Sequence, residues 1–152
     1  MTKEKPAAGQ GHAWALLLTA HAVLIERIET ALGDAELPPL AWYDVLWALE
    51  KAKDGRLRMH ELAARIVLSR SNLTRLADRL EAAKLIRRED CADDRRGYFI
   101  VITEPGKQMR RKMWPVYRDQ IEELFARHIS AAETRTIAAC LERVLEAVRK
   151  EV

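Results

Sequence analysis

The chain has few of the features that mark specialised classes of protein. It has 152 residues but only two cysteines, Cys91 and Cys140, which show neither metal-site nor disulfide-framework spacing. The four histidines, His12, His21, His60 and His128, are scattered, and no His or Cys pair has ligand spacing, so no metal is expected. No apolar run approaches the ~18 residues that a bilayer-spanning helix needs, and no membrane partner is expected. The opening MTKEKPAAGQGHAW lacks the apolar core of a signal peptide, so a cytoplasmic location is expected. There is no nucleophile elbow, Walker loop, HExxH or pair of carboxylates in an apolar setting. Neither catalysis nor a cofactor is therefore expected. Internal repeats and low-complexity linkers are also missing.

What is present is an ordinary mix, 49% hydrophobic and 32% charged, in a length that suits one domain with a real core. Net charge is only +3, but it is unevenly placed. Residues 56–111 hold 14 Lys+Arg against 8 Asp+Glu, while the remainder holds 12 against 15. The basic excess falls on the segment that carries the clearest motifs, which suits a phosphate-facing surface.

Helical spacing is the strongest local signal. Trp14, Leu17, Leu18, His21, Leu24, Ile25, Ile28 and Leu32 recur along a first helix from His12 to Leu32, which Gly33 is expected to end. Pro38 and Pro39 open a second helix, with Trp42, Val45, Leu46 and Leu49 as its inner stripe. Asp54-Gly55 signals a turn, and Arg56-Leu57-Arg58 a very short strand. A third helix over Met59 to Val67 buries Leu62, Ala63 and Ile66. Ser69 is expected to cap a fourth, running to about Ala83. That helix buries Leu73, Leu76, Ala77 and Leu80, leaving Ser71, Arg75 and Asp78 outward, flanked by Asn72, Thr74 and Arg79. Leu85 to Glu89 and Tyr98 to Thr103 read as strands. The charged connection between them, Asp90 to Gly97, is expected to protrude as a loop. Thr103 is expected to cap a fifth helix running to His128, bent or interrupted by Pro115. Ser130 and Glu133 match a capping box. Ile137, Leu141, Val144, Leu145 and Val148 then share one face of a last helix.

Helix, turn, helix and a charged two-stranded ribbon form the plan of a winged helix-turn-helix, and its expected partner is duplex DNA. The expected class is mainly α (α+β), with dimerisation helices flanking the winged part. Arg75 is the first candidate for base reading, since an outward arginine can donate two hydrogen bonds to guanine. Ser71 and Thr74 can reach bases or phosphates, and Asn72 suits adenine. Arg70 and Arg79 suit phosphates. Asp94-Arg95-Arg96 places arginine where a narrow minor groove attracts it, with Asp94 holding Arg96 extended. The plainer reading of each arginine is an exposed side chain in a local ion pair, such as Arg75 with Asp78.

These residues resemble the MarR family of bacterial transcriptional regulators. The resemblance is carried by His60-Glu61-Leu62-Ala63, the run Ser69 to Glu81, Asp94-Arg95-Arg96, and Ile102-Thr103-Glu104-Pro105-Gly106, in that order. It implies a single domain over 1–152, with a DNA-binding lobe at 38–104 and a helical dimerisation region at 10–33 and 105–152. It also implies a homodimer on a pseudo-palindromic operator, acting as a ligand-responsive repressor. Asp94 and Arg96 match the family's wing pair, with Arg96 the minor-groove residue. Lys84 departs from the pattern, standing where the family usually has glycine to end the recognition helix. Independently, the first and last helices are more apolar than one small winged domain needs, which also favours a dimer.

The resemblance further implies a small aromatic or phenolic effector. Trp14, His21, Trp42, Tyr43 and Trp47 are the candidate pocket, with stacking walls and one polar anchor; the plainer reading is a core or dimer interface. Cys91 is expected to be exposed in the wing and Cys140 to be a small buried apolar residue, and redox sensing is disfavoured. The competing class is a winged-helix module for protein–protein contact, which calls for apolar exposure in place of Arg75 and Asp94-Arg95-Arg96.

Overall fold

Leucine spacing decides how the central segment folds. In the computed structural model, which describes residues 7–66, 70–92 and 94–150, Leu73, Leu76, Ala77 and Leu80 all lie buried along one side of a helix, as their period requires. Of Arg70, Ser71, Asp94, Arg95 and Arg96 only the backbone is described, and Ser69 lies outside the described residues. The elements in order are α1 (Gln10–Asp34), α2 (Leu40–Lys51), β1 (Arg56–Arg58), α3 (Met59–Arg65), α4 (Arg70–Ala82), β2 (Ile86–Cys91), β3 (Asp94–Ile102), α5 (Glu104–Leu124) and α6 (Ala131–Lys150). Single 3-10 turns occupy Lys53–Gly55 and Ala126–His128. The sheet is antiparallel in the order β1-β3-β2. This is the mainly α winged helix-turn-helix expected. No described helix is long and apolar enough to cross a membrane.

The chain divides into residues 1–117 and 118–152. Within the first unit, α2, α3, α4 and the sheet enclose a core of Val45, Leu46, Leu49, Leu62, Leu73, Leu80, Ile86 and Ile100. A second cluster joins Ile28 and Leu32 of α1, Leu40 and Tyr43 of α2, and Met113 of α5. The Glu29 carboxylate accepts from Leu40 N at 3.0 Å, satisfying an otherwise unpaired amide at the start of α2. Away from that contact α1 exposes Trp14, Leu16, Leu17, Leu18 and Val23. In the second unit, α6 begins with the anticipated capping box: Glu133 N donates to Ser130 Oγ, and Ser130 N to the Glu133 carboxylate at 2.8 Å. Those bonds hold the Glu133 carboxyl below its usual range. Leu141, Val144, Leu145 and Val148 are exposed along one face of α6.

Several boundaries differ from expectation. Helix α1 runs on through Gly33 to Asp34, because the left-handed residue that closes it is Glu36 (φ 54°). Leu37 N then bonds Leu32 O and Glu36 N bonds Gly33 O, a Schellman closure. Helix α3 stops at Arg65. Pro115 lies inside α5 without dividing it, and α5 ends at Leu124, short of His128. The wing strands are longer than expected, reaching Cys91 and Asp94, so most of the anticipated loop belongs to the two strands and the bulge between them.

Helix α4 also ends in a Schellman closure, with Leu85 N bonded to Leu80 O, Lys84 N to Glu81 O, and Lys84 itself at φ 62°. A lysine in this region is strained, while glycine is not. Lys84→Gly is therefore expected to stabilise the protein by roughly 0.5–1 kcal/mol, net of the freedom glycine adds to the unfolded chain. Urea unfolding checks this: an unchanged or lower midpoint at equal slope refutes it.

Candidate nucleic-acid interface

Burial of Leu73, Leu76, Ala77 and Leu80 fixes the roll of α4 and leaves Asn72, Thr74, Arg75, Asp78 and Arg79 exposed. Arg70 and Ser71 fall in its first turn. The wing is the β2–β3 hairpin. Its register jumps from Asp90↔Tyr98 to Cys91↔Asp94, so Arg95, Arg96 and Gly97 form a bulge in β3. Asp94, Arg95 and Arg96 thus belong to a strand and its bulge rather than to a free loop. A bulge re-aims side chains beside the end of a ribbon.

An arginine that sequence reasoning overlooked ties wing to helix. Arg88 of β2 donates from Nη2 to Asp78 Oδ1 at 2.6 Å and from Nη1 to Glu81 Oε1 at 2.5 Å. Its guanidinium also lies 5.4 Å from the centre of the Tyr98 ring. The bond to Asp78, then Tyr98 and Glu81, raise the Arg88 pKa further, against an opposing effect of burial, so its charge is permanent. The signal was available. Arg88 shares the inward face of β2 with Ile86, two residues before it, and Asp78 and Glu81 are spaced by three on the helix. The plainer reading, a local pair of Arg75 with Asp78, is not what forms: Asp78 pairs with Arg88. Arg75 and Arg79 make no ion pair among the described residues.

The outer face of the sheet is also basic. Arg56 bonds Glu89 at 3.0 Å and Arg87 bonds it at 2.8 Å. The Arg56 and Arg58 guanidiniums lie 4.4 and 5.4 Å from the Phe99 ring centre. Cys91 is buried, contrary to expectation; it ends β2 at the point where the register on β3 shifts. Cys140 is exposed, also contrary to expectation, because its position on α6 borders the uncovered apolar face.

The five candidate pocket residues are not gathered into one site. Trp14 and His21 are exposed on α1, and Trp42 packs against the core beneath α4. Tyr43 and Trp47 stack at 6.5 Å, but their other aromatic neighbours are on α5: Trp114 lies 6.1 Å and Tyr117 5.1 Å from Tyr43. Arg110 of α5 completes that cluster. It pairs with Glu50 of α2 and lies 4.9 Å from the Trp47 ring centre. Burial pushes the Tyr43 phenol up, opposed by a hydrogen bond from Arg110. The other face of this region holds a cleft of ≈ 360 Å³ lined by Asp44, Trp47, Ala48, Lys51, Arg65 and Ile66. Asp44 keeps much of its side chain in solvent, yet its packed surroundings, then the Glu29 charge, raise its carboxyl to about 6.

Comparison with known proteins agrees with this geometry. Residues 37–97 match the MarR family model. The transcriptional repressor MprA of Escherichia coli K12 is 31% identical over 81 residues, which is 53% of this chain and 46% of MprA. The chain thus aligns with about half the length of the curated relatives it matches. Two solved structures from Streptomyces coelicolor are similar over nearly all of it. AbsC, a MarR family transcriptional regulator, is 28% identical, covers 97% of this chain and 99% of its own, and has a TM-score of 0.86. Sco3205, a MarR family regulator solved in complex with DNA, is 26% identical, covers 95% and 90%, and has a TM-score of 0.87. By motif and fold, the chain resembles the MarR family: its winged part matches the family model, and nearly its whole length is similar in structure to MarR family regulators.

Proposed function

We propose that the protein is a sequence-specific transcriptional regulator that binds a pseudo-palindromic operator as a homodimer. The observation that carries the reading is the outward face of α4, where Arg75 and Arg79 stand exposed, with no ion pair among the described residues, beside a basic hairpin. Sco3205, solved with DNA, supports it by likeness. Helix α4 enters the major groove, with Arg75 reading guanine, Ser71, Asn72 and Thr74 touching bases or phosphates, and Ser69, Arg70 and Arg79 fixing the backbone. The wing takes the minor groove through Arg95 and Arg96, with Asp94 orienting Arg96. The exposed apolar faces of α1 and α6 serve dimerisation together with α5, setting two recognition helices about 10 bp apart.

Repression relieved by a small aromatic or phenolic anion is the regulatory form of this reading. Trp47 offers a stacking wall in the cleft, and Lys51 and Arg65 offer anchors for a carboxylate or phenolate. Such a ligand lowers operator affinity only by favouring a dimer whose recognition helices are wrongly spaced.

The test is fluorescence anisotropy on the duplex upstream of the protein's own gene, against a scrambled duplex at moderate salt. Preference for the native duplex is expected; equal binding to both refutes sequence specificity. Arg96→Ala should weaken operator binding without changing dimer mass, and equal affinity removes the wing assignment. Arg75→Ala should cost about 1–3 kcal/mol and relax one base preference per half-site. A uniform loss over all sequences makes Arg75 a phosphate contact instead.

A further inference from the structure

Two carboxylates sit where a DNA-reading helix should have none. Asp78 follows Arg75 by three residues on the exposed side of α4, and its side chain is 61% exposed. Glu81 lies one turn further on, half-buried. Across Asn72 to Ala82, the charges of Arg75 and Arg79 are cancelled by these two acids, so that stretch alone would offer phosphates no net attraction. Arg88 changes the balance. It comes from a different element, it is largely covered, and its two terminal nitrogens are each committed to one of the acids. The flat guanidinium is held over Tyr98. A lysine cannot reproduce this, because a single ammonium lacks the rigid fork that serves two carboxylates at once.

We propose that Arg88 is a positioning residue for DNA binding: it draws Asp78 and Glu81 toward the wing, so that α4 meets DNA with its arginines rather than its carboxylates. The inference rests on the DNA-binding reading above and adds to it a residue that itself contacts no base. Its nitrogens are engaged by the protein, so its effect passes through the two acids. It also makes the approach of the wing to the recognition helix an electrostatic requirement as well as a packing one.

The test uses the full chain and the native-operator duplex, with Arg88→Gln, Asp78→Asn and the triple variant Arg88→Gln/Asp78→Asn/Glu81→Gln. Arg88→Gln uncovers two negative charges and is expected to weaken binding about tenfold. The triple variant removes the charges along with their partner and should return to within about threefold of the parent. Asp78→Asn alone should bind at least as tightly as the parent. Parent-like affinity for Arg88→Gln overturns the proposal. So does a triple variant as weak as Arg88→Gln, which would mean that Arg88 touches DNA or acts only as a scaffold. If Arg88→Gln does not fold, Asp78→Asn decides alone: tenfold weaker binding makes Asp78 itself a reader and sinks the idea. A parent protein that binds no duplex at low salt defeats the DNA-binding reading, and is seen before any variant is made.

Discussion

Gly106→Ala is expected to lower stability by about 3 kcal/mol, among the largest losses available to a single methyl group in this chain. A Cβ at 106 would stand 2.1 Å from the Leu85 carbonyl oxygen and 2.9 Å from Ile102 Cγ1. The oxygen belongs to backbone that is already committed, because Leu85 O accepts from Thr103 N at 3.1 Å. No rotamer change relieves such a clash, so α5 must shift away from the start of β2. The shift would also pull on Thr103, whose hydroxyl accepts from Gly106 N and donates to Lys84 O. Urea unfolding is the direct measurement. A midpoint equal to the parent's, at equal slope, would falsify the packing described here.

The second large effect is expected at Glu50. Its side chain is only 18% exposed and that of its partner Arg110 only 13%, while Arg111 approaches the same carboxylate at 3.7 Å. Glu50→Ala leaves Arg110 in a half-dry site against the Trp47 ring with no anion beside it. Removing one member of such a pair costs about 3 kcal/mol, mainly because the remaining charge stays desolvated. Replacing both members, as in Glu50→Leu/Arg110→Met, should recover much of that loss. Thermal melts of the three proteins settle the point: a double variant no better than Glu50→Ala would mean that the pair is not what holds α2 against this part of α5.

Much of the architecture was legible because it follows from period and local chemistry. The leucine stripe of α4 gave its roll, and Asp54-Gly55 marked the turn that leads into β1. Thr103 and Ser130 were readable as caps because each hydroxyl has a free amide three residues on. Lys84 was readable as a positive-φ residue from its departure from the family pattern. What stayed hidden depended on contacts between distant residues. Charged residues fill β2, so alternation does not announce that the strand reaches Cys91. Cys91 is buried where the register of β2 on β3 shifts, and register is a property of two strands together. The partners of Tyr43 lie some seventy residues further on, at Trp114 and Tyr117, and no spacing rule connects them. Arg88 left a partial trace, its place on the face of β2 that carries Ile86, but its partners appear only when β2 lies against α4.

The sheet order carries one more consequence, for modularity. Strand β1 pairs with β3 and not with its nearer neighbour in sequence: Arg56 lies opposite Val101, and Arg58 opposite Phe99. The helix-turn-helix is thus a closed loop pinned at both ends by one short ladder. Excising α3 and α4 alone would discard the clasp and much of the apolar surface they cover. The smallest cassette that keeps both runs from β1 through β3, and carries the wing with it. A change of target sequence written only in the exposed residues of α4 leaves that clasp untouched. Grafting the helices without their strands cuts it.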